Sequence, residues 1–335
     1  MKINSAVFLF FSTITIFYFG KFLLLPLFLA LFTFIIIKLL SKKILIFVQK
    51  MTKIKVNEIA ALLIMLIILF SFFYFFWKIL EFNLNGVISK SYLYQDNLNI
   101  VLSLFSDSIL SKIIPLQEIL NSINFLTIFS KLLNNFTEFA GNFSLVLIFL
   151  VFLIVEEKSF IKKIEIVAGN NNLKILKKIT NDIFSYFQIK IFTSTLTGLL
   201  TFIFLYTLGN DLAPTFGIIS FVLNFIPLIG SLLSIILPFV FSSIQSLGFY
   251  DPFLTIILLV VVQICIGNFL EPKLMGKTLN ISPIIMLIFL AIMGKMWGIA
   301  GMFLSVPLLV VLLIFFSNFK STKKIAIFIS DKGNN

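Results

Sequence analysis

The sequence contains no histidine, no arginine, one cysteine and only 14 acidic residues in 335. Without histidine there is no imidazole to act as a general base, and zinc sites of the Cys/His kind cannot be assembled. A lone cysteine excludes any disulfide within the chain. Charge is scarce as well: 12% of residues are charged, against about 25% in a soluble domain. Also missing are the H-E-x-x-H and G-x-S-x-G motifs, an aspartyl pair within an apolar run, and the G-x-x-x-x-G-K-[ST] loop. An intramembrane enzyme and a nucleotide-driven pump each lack their signature, and no cofactor or metal is implied.

What is present is apolar. Hydrophobic residues make up 60% of the chain and the mean hydropathy is +1.13. A soluble protein of this size has too little interior to hide so many apolar side chains, so lipid must solvate much of the surface. The apolar residues run unbroken, as in 57–80 and 252–270, without the alternation that marks a membrane β-barrel. The expectation is an all-α, polytopic helical bundle forming one membrane domain over 1–335.

All 26 basic residues are lysines, and the formal charge is +12. They cluster in short loops between apolar runs, the pattern of membrane orientation rather than of nucleic-acid binding. Cys265 lies inside an apolar run and is expected to be a small buried side chain. The opening MKINSAVFLFFSTITIFYF has no A-x-A-like cleavage site, and a second run follows directly after Gly20 and Lys21. It is expected to be a retained first helix.

About eight membrane segments are predicted, at 5–19, 22–40, 57–80, 141–155, 191–209, 212–247, 252–270 and 280–317, the sixth and eighth being interrupted. The lysine-rich loop at 41–56, the segment 156–190 and the C-terminal tail are expected in the cytoplasm, together with both termini. The region 81–140, poorer in lysine, is expected to be an extracytoplasmic helical insertion. Ile109, Ile113, Leu116 and Leu120 in it recur at helical spacing. Residues 172–190 place Leu173, Leu176, Ile179, Ile183 and Phe187 on one face and lysines on another, as an interfacial helix would.

The interrupted runs carry the candidate chemistry, so 212–317 is the expected transport core. Asn224, Pro227 and Gly230 break the first; Gly294, Lys295, Gly298 and Gly301 break the second. Pro removes a backbone donor and Gly weakens a helix, so both centres can present polar backbone. At membrane depth this is tolerated only where protein buries it or water lines it, as in transporter sites. Each run either re-enters from one face or crosses twice; arm length alone does not choose. Gly294, Gly298 and Gly301 also suit close helix packing. Between the runs, Asn268, Glu271, Pro272 and Lys273 form a charged, Pro-broken turn that either marks the interface or lines a path.

The stretches NFIPLIGSLLSIILP (224–238), GNFLEPKLMGKTLNISP (267–283) and GKMWGIAGMFLSVPL (294–308) resemble, in this order, the signature of the autoinducer-2 exporter family, the PerM-like permeases. The N-terminal half is similar in arrangement only. The resemblance marks Pro227, Gly230, Pro238, Gly267, Asn268, Glu271, Pro272, Gly276, Pro283, Gly298, Gly301 and Pro307 as motif positions. Lys295 departs from the neutral residue expected between Gly294 and Trp297. The resemblance implies a homo-oligomeric transporter of the bacterial cytoplasmic membrane that moves a small molecule or ion. Some members are linked to autoinducer-2 release and quorum sensing, others to sodium or proton exchange.

Overall fold

A computed structural model of the chain describes residues 15–52, 58–106, 125–275, 280–319, 322–331 and 333. Every regular element among them is helical. In order they are α1 (Lys21–Thr52), α2 (Glu58–Ser89), α3 (Ser91–Ser106), α4 (Phe125–Thr207), α5 (Ala213–Leu223), α6 (Ile229–Ser246), α7 (Tyr250–Gln263), a π-helical segment (Ile264–Leu270), α8 (Glu271–Met275), α9 (Pro283–Asn318) and α10 (Lys323–Ile329). Helices are the solution hydrocarbon demands, because each satisfies its own backbone groups without water.

Among the described residues, six helical stretches are long and apolar enough to cross a bilayer: Lys21–Ile46, Ala60–Ser89, Leu173–Thr207, Ile229–Ser246, Tyr250–Met275 and Pro283–Asn318. The expected run 5–19 lies mostly outside the described residues, as does the amphipathic pattern from Ile109 to Leu120. The run 141–155 is helical within α4. Glu156 and Glu157 close its apolar stretch after about 13 residues, short of the ~20 that a span needs.

The chain divides into two compact units. The first comprises Met1–Ile68, Ala140–Ile189 and Met275–Asn335; the second comprises Leu69–Phe139 and Lys190–Leu274. In the first unit the ring of Phe187 on α4 lies between Phe32 on α1, 5.7 Å away, and Phe303 on α9, 6.3 Å away. Lys38 pairs with Glu157. The N–H of Ser282 donates to the carbonyl of Ile329, which ties α10 to the start of α9.

Helix α9 is a hairpin. Gly298, at φ 66° and ψ −148°, leaves the helical region. A Cβ on Gly301 would lie 2.2 Å from the Met293 carbonyl oxygen. In a straight helix those residues would stand ~12 Å apart along the axis. The chain therefore reverses at Gly298. Gly294 and Gly301 lie on opposite arms, and a Cβ on Gly294 would meet the Met302 side chain at 2.8 Å. The three glycines thus serve a turn and the closure of its two arms, instead of forming one face of a straight helix. Trp297 is buried beside the bend; its indole N–H donates to the Phe17 carbonyl and its ring stacks on Phe17.

In the second unit Leu84, Val87, Tyr94, Leu98, Leu205, Leu212, Ala213, Phe216, Phe241, Ile244 and Leu259 form one buried cluster. In lipid this packing is stabilised by dispersion and close fit more than by exclusion of water. Helices α5 and α6 form a second hairpin whose tip is Asn224–Leu228. Leu228 sits at φ 61° and ψ −58°, and Ile229 N–H donates across it to the Pro227 carbonyl. This is the strained form of γ-turn. Gly230 permits the reversal, since a Cβ there would fall 1.8 Å from the Leu223 carbonyl oxygen. Where α5 meets α4, Gly198 and Gly217 face each other, and a Cβ on either would lie within 3 Å of the other's carbonyl oxygen. Cys265 is exposed. The buried stripe through this span runs Thr255, Leu259, Val262, Gln263 and Ile266, so the expected buried thiol is on the other side. An apolar run does not tell a lipid-facing position from a protein-facing one.

Replacing Gly301 with Ala should lower the melting temperature of the detergent-purified protein markedly, because the added methyl meets backbone that cannot yield. Gly86→Ala, where nothing lies within 4 Å, should leave it unchanged or raise it slightly, because the methyl adds up to ~1 kcal/mol of helix propensity. Equal effects of the two would contradict the hairpin at Gly298.

Candidate functional site: a buried polar seam

The site is built on the C-terminal part of α4. Lys190, Thr193, Ser194, Thr197 and Thr201 recur there at three- and four-residue intervals, which places them on one helical face. All are at most 5% exposed. Threonine is tolerated inside the helix because its hydroxyl can return to the preceding turn, as Thr197 Oγ1 does to the Thr193 carbonyl at 3.0 Å.

Glu271 is delivered to this face by the π-helical segment, whose wider turn ends one residue before it. Pro272 follows within the first turn of α8, where its missing N–H costs nothing. Lys190 Nζ donates to Glu271 Oε1 at 2.5 Å, with the two side chains 6% and 15% exposed. The Thr193 hydroxyl lies 3.2 Å from both Glu271 Oε2 and the Lys190 carbonyl, so one proton is shared between them. Burying an ion costs several kcal/mol, which only a close opposite charge and hydrogen bonds offset. Each of the two residues is the reason the other can be buried.

The seam continues across the unit. Asn224, at the α5–α6 tip, donates from Nδ2 to Ser194 Oγ at 3.0 Å. Gln263 Nε2 donates to Ser234 Oγ at 2.8 Å. Farther along, Asn210 Nδ2 donates to Ser242 Oγ, which lies 3.2 Å from Thr255 Oγ1. From Lys190 to the end of α4 at Thr207 this is ~26 Å of helix rise, most of the thickness of the hydrocarbon core.

A second charged cluster marks the far end. Tyr94 Oη and Lys90 Nζ donate to Asp211 Oδ2 at 2.5 and 2.9 Å, and the Asp211 N–H donates to Gln245 Oε1. Burial pushes the Asp211 carboxyl up, but the hydrogen bonds from Tyr94 and Lys90 and the lysine charge outweigh it and hold the group below its ordinary range. Burial, then the bond to Asp211, holds the Tyr94 phenol well above its ordinary range. A depression of about 320 Å³ lined by Asn83, Asn85, Lys90 and Asp211 opens beside this cluster.

Of the residues expected to carry function, Asn224 and Glu271 converge on adjacent positions of the α4 face. Pro227 is half-buried in the strained turn, and Gly230 is buried behind it. Asn268, Pro272 and Lys273 are exposed on the same turn as Glu271. Gly294, Lys295, Gly298 and Gly301 belong to the other unit, where Lys295 is exposed. Lys190, expected among the cytoplasmic loop lysines, is instead the buried partner of Glu271. Its signal was the spacing of Lys190, Thr193, Thr197 and Thr201 through an apolar run. Asp211 stands at a bend with no such periodicity, and Gln263 is a single amide within an apolar run. Among the described residues no group of three or more His, Cys, Asp or Glu side chains could hold a metal ion.

Six long apolar helices with buried polar pairs among them define a multi-pass membrane protein. The chain belongs to the AI-2E family of transporters, whose model matches residues 6–321. It is 34% identical over 253 residues to a protein of Borreliella burgdorferi that carries a provisional transport-protein name, covering 70% of this chain and 67% of that one. A similarly named protein of Haemophilus influenzae is 30% identical over 208 residues, 60% of each chain. The AI-2 transport protein TqsA of Escherichia coli is 27% identical over 208 residues, 62% of this chain and 60% of its own. The matched stretches therefore span 60 to 67% of these relatives' lengths.

Lys190→Met and Glu271→Leu should each destabilise the protein by ~3–5 kcal/mol, since each strands a buried charge, while the double variant should recover most of the loss. Additive losses in melting experiments would show that the ion pair is not coupled. At the other end, Asp211 has a folded pKa below its unfolded value of about 3.9, so its contribution is present above about pH 4 and disappears as the pH falls through the lowered value. Asp211→Asn should flatten the acid limb of a melting-temperature profile; an unchanged limb would place the acid sensitivity elsewhere.

Proposed function

We propose that the chain carries a small solute across the bacterial cytoplasmic membrane along the polar seam of the second unit. The observation that supports this best is the buried Lys190–Glu271 pair, which shares one apolar unit with the buried polar contacts Asn224–Ser194, Gln263–Ser234 and Asn210–Ser242. Intramembrane ionisable groups are costly and are characteristic of solute or ion pathways. A plain anchor or scaffold would have no use for them, nor for two hairpins held by strained turns.

The positive-inside pattern orients the Lys190–Glu271 end toward the cytoplasm and the Asp211 cluster outward, with 81–140 outside, 156–190 inside and both termini cytoplasmic. Helix α5 has 11 residues, or ~16 Å of rise against ~30 Å of hydrocarbon. That favours re-entry of the α5–α6 hairpin from the outer face. The α9 hairpin then enters from the cytoplasmic side, and eight membrane segments result if 5–19 and 141–155 also cross. In this arrangement Asn224, Pro227, Gly230, Asn268, Glu271, Pro272 and Lys273 of the second unit line or gate the path, while Lys295 and Gly298 form the tip of a separate candidate gate in the first. The apolar outer faces meet lipid and copies of the same chain in a homo-oligomer.

Autoinducer-2 export is the substrate assignment, drawn from the relative named for AI-2 transport, and it gives the protein a place in quorum sensing. A sodium or proton antiporter is the second reading. It is favoured by the carboxylate of Glu271, whose partner Lys190 could hold the site neutral when an ion leaves.

Flux of autoinducer-2 into proteoliposomes, with and without sodium and proton gradients, distinguishes these readings. Saturable flux of the wild type reduced at least tenfold in Glu271→Gln, with membrane insertion retained, is the expected result. Flux of ions alone would establish the antiporter, and no flux of either would return the chain to a scaffold.

A further inference from the structure

Three buried side-chain oxygens among the described residues have no hydrogen-bond partner: Thr215 Oγ1, Ser220 Oγ and Gln263 Oε1. The first two are hydroxyls on α5 and can rotate toward a carbonyl of their own helix. The third is an amide carbonyl that only accepts, and it has no such recourse.

Ser234 Oγ donates its proton to the Ser231 carbonyl at 2.9 Å, so only its lone pairs remain for α7. Gln263 Nε2 takes them at 2.8 Å, which turns Oε1 the other way. There it lies 3.6 Å from where a Cβ on Gly267 would be. Gln263 is 8% exposed. It is the last residue of α7, at the middle of the Tyr250–Met275 span, and the π-helical segment begins directly after it. Such segments interrupt regular helix at a cost and are frequent at functional sites. A bare carbonyl at mid-membrane is likewise costly unless something donates to it.

We propose that Gln263 Oε1 is a recognition point at the middle of the seam, accepting a hydrogen bond from a hydroxyl of a small uncharged solute that passes Gly267. The inference rests on the transport function proposed above and adds the chemistry of what is recognised. An uncharged solute fits because Lys190 and Glu271 neutralise each other. A bare metal cation does not fit, because one neutral oxygen falls far short of the six or more that a hard cation gathers. Gly267 leaves the carbonyl uncovered on that side, since a Cβ there would stand against it at 3.6 Å.

Xylitol serves as the probe, with the full-length protein in detergent for binding and in proteoliposomes for flux. Xylitol should raise the melting temperature of the wild type, with an apparent affinity about tenfold weaker in Gln263→Met, which keeps volume and removes the acceptor. Gly267→Ala, which keeps the glutamine and covers its carbonyl, should give the same loss and supplies the test if Gln263→Met does not fold. Xylitol acting alike on wild type and both variants, or on none, would overturn the recognition point and leave an ordered water as the partner of Oε1. Binding that depends on Gln263 without any flux would leave the recognition point standing and remove the transport function. Flux with equal affinity in all three proteins would do the reverse.

Discussion

A polar group inside hydrocarbon has no water to fall back on, and most of the second unit's geometry can be traced to that constraint. Lys190 and Glu271 come from segments 81 residues apart, and neither could be buried without the other. Their contact sets the rotation of α4 relative to the π-helical segment. The bonds from Asn224 to Ser194 and from Gln263 to Ser234 then set the hairpin tip and the middle of α7. Dispersion between leucines is strong in sum but nearly indifferent to register, whereas these bonds have direction. The apolar cluster around Leu205, Phe216 and Leu259 supplies cohesion, and the seam supplies the alignment.

The two hairpins reverse the chain by different means. At Leu228 a residue with a side chain occupies the left-handed region, and the Ile229–Pro227 hydrogen bond and Gly230 hold it there. At Gly298 the reversal uses a conformation that only glycine adopts cheaply, and Trp297 fastens the bend to Phe17. Strained turns of this kind persist where surrounding packing over-determines them, and they gather at sites that bind or move. One hairpin belongs to each compact unit.

The family and the membrane class were both legible in the residues: the lysine-only basic set, the unbroken apolar runs and three ordered motifs pointed to them without coordinates. Glu271 stood out in the residues as a carboxylate in a Pro-broken turn, with an interface marker and a path-lining group both open; its buried pairing came only with the structure. Lys190 was not, since a lysine beside other lysines reads as part of a loop until its partner is seen. Cys265 was misjudged because, in a membrane protein, an apolar neighbourhood exists on the outside as well as the inside.

Composition and patterning by themselves determined the solvent, the all-helical class and the places where helices break, because these depend on local hydropathy and backbone chemistry. Tertiary structure alone decided which broken segments turn back and which charges meet. It also decided which of the many Ser, Thr, Asn and Gln side chains form the seam. Those outcomes depend on contacts between residues far apart in the chain, and a polar residue's cost or use inside a bilayer is set by the partner that reaches it.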